Sequence, residues 1–177
     1  VATLYADITD PDDFFYDPTG SGDTSGSPII LKTKKDLANF SFYFKKTGNY
    51  SKHFSLGNNI DLSTANDGTG DANAYQNILL NSDTAFTGSF EGNNNTISNI
   101  SVSLKTSKDN VGLIPILGAG GVIQNLNLIY SRFEIIGDIS GVADNTNLYA
   151  GGLVGKVVGA SGNLSIIDNI TATFNTH

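Results

Sequence analysis

The tetrapeptide Ile97-Ser98-Asn99-Ile100 returns as Ile123-Gln124-Asn125-Leu126 and again as Ile167-Asp168-Asn169-Ile170. Each copy of this Ile-x-Asn-Ile/Leu phrase runs into an alternating stretch, at 101–104, 127–130 and 171–174. A second phrase travels ahead of the later copies, as Val111-Gly112-Leu113-Ile114 and Gly151-Gly152-Leu153-Val154-Gly155. Phrases that recur at intervals of tens of residues point to a stack of equivalent units, each burying its apolar face on its neighbours. The step from Ile97 to Ile100 is three residues rather than two, which breaks strand alternation. A corner at the asparagine accounts for it, because Asn tolerates the left-handed backbone a sharp bend demands. In equivalent corners, amides that both donate and accept can hydrogen-bond from one unit to the next. The copies lie 26 and 44 residues apart. This predicts one coil of roughly 20 residues plus a loop in the first gap and two coils in the second.

Beyond these phrases the chain reads as strand from His53 onward. Phe54, Leu56, Ile60 and Leu62 are apolar within a polar stretch, and the clearest strands follow at 78–80, 85–90 and 96–104. The glycines at 112, 118, 120, 121, 151, 152, 155, 159 and 162 mark further corners or close backbone approaches. Residues 63–75 and 137–148 are polar loop sequences, the second an insertion projecting from one coil. The prediction is an all-β, parallel β-helix (solenoid) over 53–177; because no cap follows the last strand, it is expected to continue beyond the chain end or to have that edge covered by a partner.

The segment before it differs. Residues 1–28 read as an irregular acidic arm, with Asp7, Asp10, Asp12, Asp13 and Asp17 ahead of Gly20, Gly22, Gly26 and Pro28. Residues 29–52 read as an N-terminal cap containing a short α-helix. Ile29 to Lys32 is a short strand, and Thr33-Lys34-Lys35-Asp36 has the form of a capping box. Leu37, Phe40 and Phe44 follow at helical spacing, and Gly48 closes a helix predicted over 34–47.

Composition narrows function. Among 177 residues there is no cysteine, which removes disulfides, thiolate metal sites and a cysteine nucleophile. Methionine is also absent, even at position 1, which suggests a processed start or an excerpt of something longer. A net charge of −7 repels phosphates, so nucleic acid is not an expected partner. No apolar run is long enough to span a bilayer. His53 and His177 are the only histidines, and neither a zinc-protease signature nor a nucleophile elbow is present. Gly118-Ala119-Gly120-Gly121 matches no phosphate-binding loop and reads as a strand corner. Arg132 and Glu134 share one short stretch without the company of further catalytic groups. Calcium is weighed at the acidic arm and at Asp67 to Asp71, but a solvated loop is the better reading at both. No catalytic, cofactor-binding or metal-ligating residue is therefore assigned, no cofactor is expected, and the chain is read as not an enzyme. Asn-x-Ser/Thr occurs at 39, 49, 94, 99, 163 and 169, and two of these are corner asparagines expected to be buried, where a glycan would not fit.

One order of motifs carries a resemblance. Thr33-Lys34-Lys35-Asp36-Leu37 is followed by Asn59-Ile60-Asp61-Leu62-Ser63, then by Phe86-Thr87-Gly88-Ser89-Phe90-Glu91-Gly92-Asn93 running to Thr96-Ile97-Ser98-Asn99-Ile100, and at last by Gly152-Leu153-Val154-Gly155. This order resembles bacterial surface proteins that carry the GLUG motif, over about residues 29–174. Glu91 stands where that family has Asp, Asn94 and Asn95 where it has Gly-His, and Pro115 where it has the second glycine of Gly-Leu-x-Gly. The resemblance implies a right-handed parallel β-helix, secreted or on a bacterial cell surface. Its expected role is a non-catalytic module in adhesion or in a stalk, with a host or neighbouring-cell surface protein or glycan as partner. The alternatives are a filament subunit that docks end to end on further copies of itself, and a polysaccharide-acting β-helix enzyme.

Overall fold

A computed structural model describes residues 20–34, 36–37, 39–40, 50–63, 80–81, 84–106, 110–137 and 149–175. The strands run β1 (Ile29–Leu31), β2 (His53–Leu56), β3 (Ile60–Asp61), β4 (Leu80–Asn81), β5 (Ser89–Glu91), β6 (Thr96–Thr106), β7 (Asn110–Gly112), β8 (Ile114–Leu117), β9 (Val122–Gly137), β10 (Tyr149–Ala150), β11 (Val154–Val157) and β12 (Ile166–Phe174). The chain is all-β and its sheets are mainly parallel; β4 on β7 is the antiparallel pair.

Parallel pairing joins segments far apart in sequence. Ile29 lies opposite Phe54, Phe54 opposite Phe90, Phe90 opposite Ile123, and Ile123 opposite Ile167. A second column runs from Ile60 to Ile97 to Leu128 to Ala172. A third joins Ile114 to Val154 and Leu117 to Val157, with Phe86 bridging to Leu117. Side chains from all three columns enter one buried cluster that includes Phe54, Phe90, Ile97, Leu117, Ile123 and Leu128. Alternation of strand faces puts these residues inward, and removing them from water is the main stabilising contribution.

The long strand β9 belongs to two faces. Its first residues pair with β5 and its later ones with β6, while β12 follows it along both parts. The bend between the parts is at Asn125, whose φ is 55°, and Asn169 above it has φ 50°. Below them, β5 and β6 are joined by a longer turn, Gly92 to Asn95, in which Asn93 (φ 52°) and Asn94 (φ 60°) absorb the extra residues. Asn99 is left-handed too, with φ 57°. All three phrase asparagines thus adopt the predicted conformation, but they do not share one column. Copies two and three lie in register, Ile123 under Ile167 and Leu126 under Ile170. Copy one stands five residues further along, with Ile97 opposite Leu128. Asn99 makes a bulge, since β6 spends two residues, Ser98 and Asn99, where β9 spends one, Ile129. A second irregularity at Ser131 restores the register, so that Ser101 faces Arg132.

The predicted coil count is corrected by this register. β12 pairs directly on β9, so the 44 residues between the later copies make one layer and not two. Identical wording does not mark identical position: Phe90-Glu91-Gly92 occupies the place under Ile123-Gln124 and the Asn125 bend.

At the lower end, residues 34, 36, 37, 39 and 40 are helical, and the rest of the helix predicted over 34–47 lies outside the described residues. The capping box forms as the sequence suggests. The Asp36 amide donates to Thr33 Oγ1 at 3.1 Å, and the Asp36 carboxylate accepts from the Thr33 and Lys32 amides at 2.8 and 2.9 Å. Leu37 and Phe40 are buried, and Phe40 meets Phe54 and Phe90 edge-on at 4.9 and 5.4 Å between ring centroids.

Glycine pairs set how closely the layers approach. A Cβ on Gly155 would lie 2.8 Å from the carbonyl oxygens of Pro115 and Val111, and one on Gly112 would lie 2.8 Å from the Gly155 nitrogen. The two Gly-Leu phrases are in register here, Leu153 accepting from the Ile114 amide at 2.9 Å. The predicted corner at 118–121 also forms, with Gly120 at φ 79° and the Gly121 amide donating to Gly118 O at 2.9 Å.

Candidate functional site: an asparagine belt and the groove beside it

Where the layers bend, side-chain amides link them. Asn169 Nδ2 donates to Asn125 Oδ1 at 2.8 Å, and Asn125 Nδ2 donates to the Glu91 carboxylate at 3.0 Å. Glu91 also accepts from Gln124 Nε2 at 2.7 Å and from the Asn93 amide at 2.7 Å. The carboxylate therefore occupies the layer position that an amide oxygen fills one layer up. Asn93 Nδ2 reaches down to Ser55 Oγ and Leu56 O at 2.8 and 2.9 Å, and Asn127 Nδ2 to Asn94 O at 3.0 Å. Asn58 Nδ2 donates to Lys32 O at 2.6 Å. A separate link is made at the bulge, where Asn99 Nδ2 donates to Asp61 Oδ1 at 2.7 Å. The Asn99 amide, followed by the Ser63 backbone N–H, holds the Asp61 carboxyl below the usual carboxylate range.

Beside the belt lies a groove of about 480 Å³ on the outward face of β2, β5 and β9. Its polar lining is Ser25, His53, Ser55, Ser89, Glu91, Asn93 and Gln124. His53, Ser55, Ser89, Glu91 and Gln124 face the groove because their strand neighbours Phe54, Phe90 and Ile123 point inward. His53 Nδ1 and Ser89 Oγ share a hydrogen bond of 2.7 Å. Donors and acceptors thus recur from layer to layer along the groove, spaced by the strand separation of roughly 4.8 Å. The arrangement suits hydrogen bonding to an extended polar ligand.

Of the residues weighed in the sequence, Arg132 and Glu134 form an exposed ion pair with each other on β9. Gly118 to Gly121 form the strand corner. His177, the acidic residues at 7–17, the Asp67–Asp71 loop and most of loops 63–75 and 137–148 lie outside the described residues. Among the described residues, no three His, Asp or Glu side chains come together to hold a metal ion. No helix among them is long and apolar enough to cross a membrane. The corner asparagines are not buried as expected: Asn99 and Asn125 are half-buried and Asn169 is exposed. What occupies them is hydrogen bonding through Nδ2. The role of Glu91 was not foreseen. Its one sequence signal was an acidic residue directly before Gly-Asn-Asn in a strand.

The chain is 31% identical over 166 residues to Halomucin of Haloquadratum walsbyi. The match takes in 87% of this chain and 2% of that protein, so the chain spans a small fraction of the curated relative's length. No family model matches the chain, and no solved structure matches it significantly.

Proposed function

We propose that this chain is a right-handed parallel β-helix module of a secreted or surface-displayed protein, of the kind carrying the GLUG motif, and that it serves adhesion or acts as a stalk segment without catalysis. The observation that carries the reading is the run of parallel columns, Ile29–Phe54–Phe90–Ile123–Ile167 foremost, which builds length by stacking. A segment stiffened in this way supports extension, and its outward face offers a repeated polar surface in place of a deep reactive cleft. Similarity to a small part of Halomucin supports a module within a much longer chain, and the mucin in that name is in keeping with display outside the cell. Partners on this reading are a surface protein or glycan of a neighbouring cell. Two measurements test it. Antibody against residues 84–175 should label intact, unpermeabilised cells that make the parent protein; labelling only after permeabilisation contradicts surface display. Beads coated with the module should bind neighbouring cells, and the substitutions Gln124→Ala and Asn93→Ala in the groove should reduce that binding. Unchanged binding by both would place adhesion elsewhere on the module.

A further inference from the structure

Asn94, Asn99, Asn163 and Asn169 each head an Asn-x-Ser/Thr triplet that lies wholly within the described residues. Such triplets accept an N-linked glycan where they stand on an accessible surface loop. The sugar bonds to Nδ2, so the surroundings of that atom decide which triplet can carry one. Asn99 Nδ2 donates to Asp61 Oδ1 at 2.7 Å, and Asn169 Nδ2 donates to Asn125 Oδ1 at 2.8 Å. A sugar on either nitrogen would stand between two layers. Asn163 is exposed, but its amide lies against Gly120, where an added Cβ would come within 2.9 Å of it. The hydroxyl of its triplet is also spent, Ser165 Oγ donating to Gly118 O at 2.7 Å. Asn94 differs on each count. It is exposed, and among the described residues its Nδ2 has no acceptor and Thr96 Oγ1 has no hydrogen-bond partner. Asn94 is the second central residue of the Gly92–Asn95 turn, which the Asn95 amide closes on Gly92 O at 2.8 Å. Positive φ at both Asn93 and Asn94 makes this a type I′ turn. The belt draws on the other polar groups of Asn94. Its backbone N–H donates to Asn125 O at 2.7 Å, its carbonyl accepts from Asn127 Nδ2 at 3.0 Å, and its Oδ1 accepts from Asn169 Nδ2 at 3.2 Å. β9 and β12 are stacked above this turn, so its exposure belongs to the side of the stack.

We propose that Asn94 is the attachment site of an N-linked glycan on this protein. The co-substrate is a lipid-linked glycosyl diphosphate, used by a membrane-bound glycosyltransferase. A bond forms between Asn94 Nδ2 and the anomeric carbon of the donor sugar. The bond from that carbon to the diphosphate breaks, its electron pair leaves with the diphosphate, and one amide proton passes to a base of the transferase. The Thr96 hydroxyl is free for the transferase to read. None of the three belt contacts of Asn94 uses Nδ2, so all of them survive the modification. The glycan would stand next to Asn93, at the rim of the groove. The inference rests on export of the chain, which surface display requires, and the experiment separates the two.

Intact cells that make the parent protein are labelled with a membrane-impermeant biotin reagent, and the biotinylated protein is digested and read by tandem mass spectrometry. Recovery of the protein in that fraction establishes export by itself, so a bare Asn94 there counts against the glycan alone. The expected result is a peptide spanning residues 94–96 that carries one or more sugar residues on Asn94, with Asn99 and Asn169 unmodified. Asn94→Asp should abolish the modification and leave the circular dichroism spectrum unchanged, because aspartate tolerates the left-handed turn and keeps an oxygen for Asn169. Thr96→Ala should abolish it with Asn94 still in place, and Thr96→Ser should retain it. An unmodified Asn94 in the biotinylated protein, or sugar on Asn99 or Asn169 in its stead, would overturn the proposal.

Discussion

Asn169 donates its side-chain N–H to the side-chain oxygen of Asn125, 2.8 Å away, from a bend of nearly the same φ one layer above. The contact gives each asparagine two duties. Its backbone takes the left-handed turn, and its amide ties that turn to the next layer.

Separating those duties is possible at Asn125. Asn125→Gly keeps the turn and loses the amide, at an expected cost of about 1 kcal/mol. Asn125→Ala loses the amide and also strains the bend, for a total of about 2–3 kcal/mol. Urea denaturation of the two variants should therefore rank glycine above alanine. The reverse order would mean that the bend is not held left-handed.

Phe90 and Ile167 occupy one column but differ in burial, at 0% and 46% exposed. Phe90→Ala is expected to cost about 3–5 kcal/mol and to lose the edge contact with Phe40. Ile167→Ala should cost about 1 kcal/mol or less, because the side chain is already half in water. Denaturant midpoints of the two variants measure the contrast.

Close approach of the glycine phrases makes a similar pair. Gly155→Ala would drive a methyl against the backbone of Pro115 and Val111, and should destabilise by about 1–3 kcal/mol. Gly159→Ala meets nothing within 4 Å and should be neutral or slightly stabilising. Thermal melts of both distinguish packing from mere loop flexibility.

Asp61 sets a pH dependence. Its folded pKa is depressed, first by the Asn99 amide. The stability it contributes is therefore fully present above the unfolded value of about 3.9 and is lost as pH falls through the lower folded value. Denaturant midpoints of the protein and of Asp61→Asn should differ at pH 6 and converge as pH falls through the lowered folded value. Because the group is near the surface the difference should be small and should shrink further in high salt. In an NMR titration, Asn99→Gly should raise the Asp61 carboxyl toward its ordinary value.

Much of this could be read from the chain before any coordinates. The left-handed asparagines followed from the three-residue step between isoleucines, and the capping box at Thr33 and Asp36 from its spacing. Both are local signals, decided within a few residues. The layer assignment was not local. Asn99 carries the same phrase as Asn125, yet one makes a bulge over Asp61 and the other a bend over Glu91. Which residue lies above which is fixed by loop lengths and by the apolar columns, and a repeated phrase does not determine either. The outward column Ser55–Glu91–Gln124–Asp168 was missed for the same reason. Its members have no common residue type and meet only through register.

Register is also where the account is most directly tested. In oxidised protein, the pair Gln124→Cys/Asp168→Cys should form an intramolecular disulfide in high yield, because these residues are opposite each other in β9 and β12. The pair Ser98→Cys/Gln124→Cys should stay reduced, since copy one of the phrase lies five residues out of step. A reduced Gln124/Asp168 pair, or a bond joining Ser98 to Gln124, would contradict the stacking described.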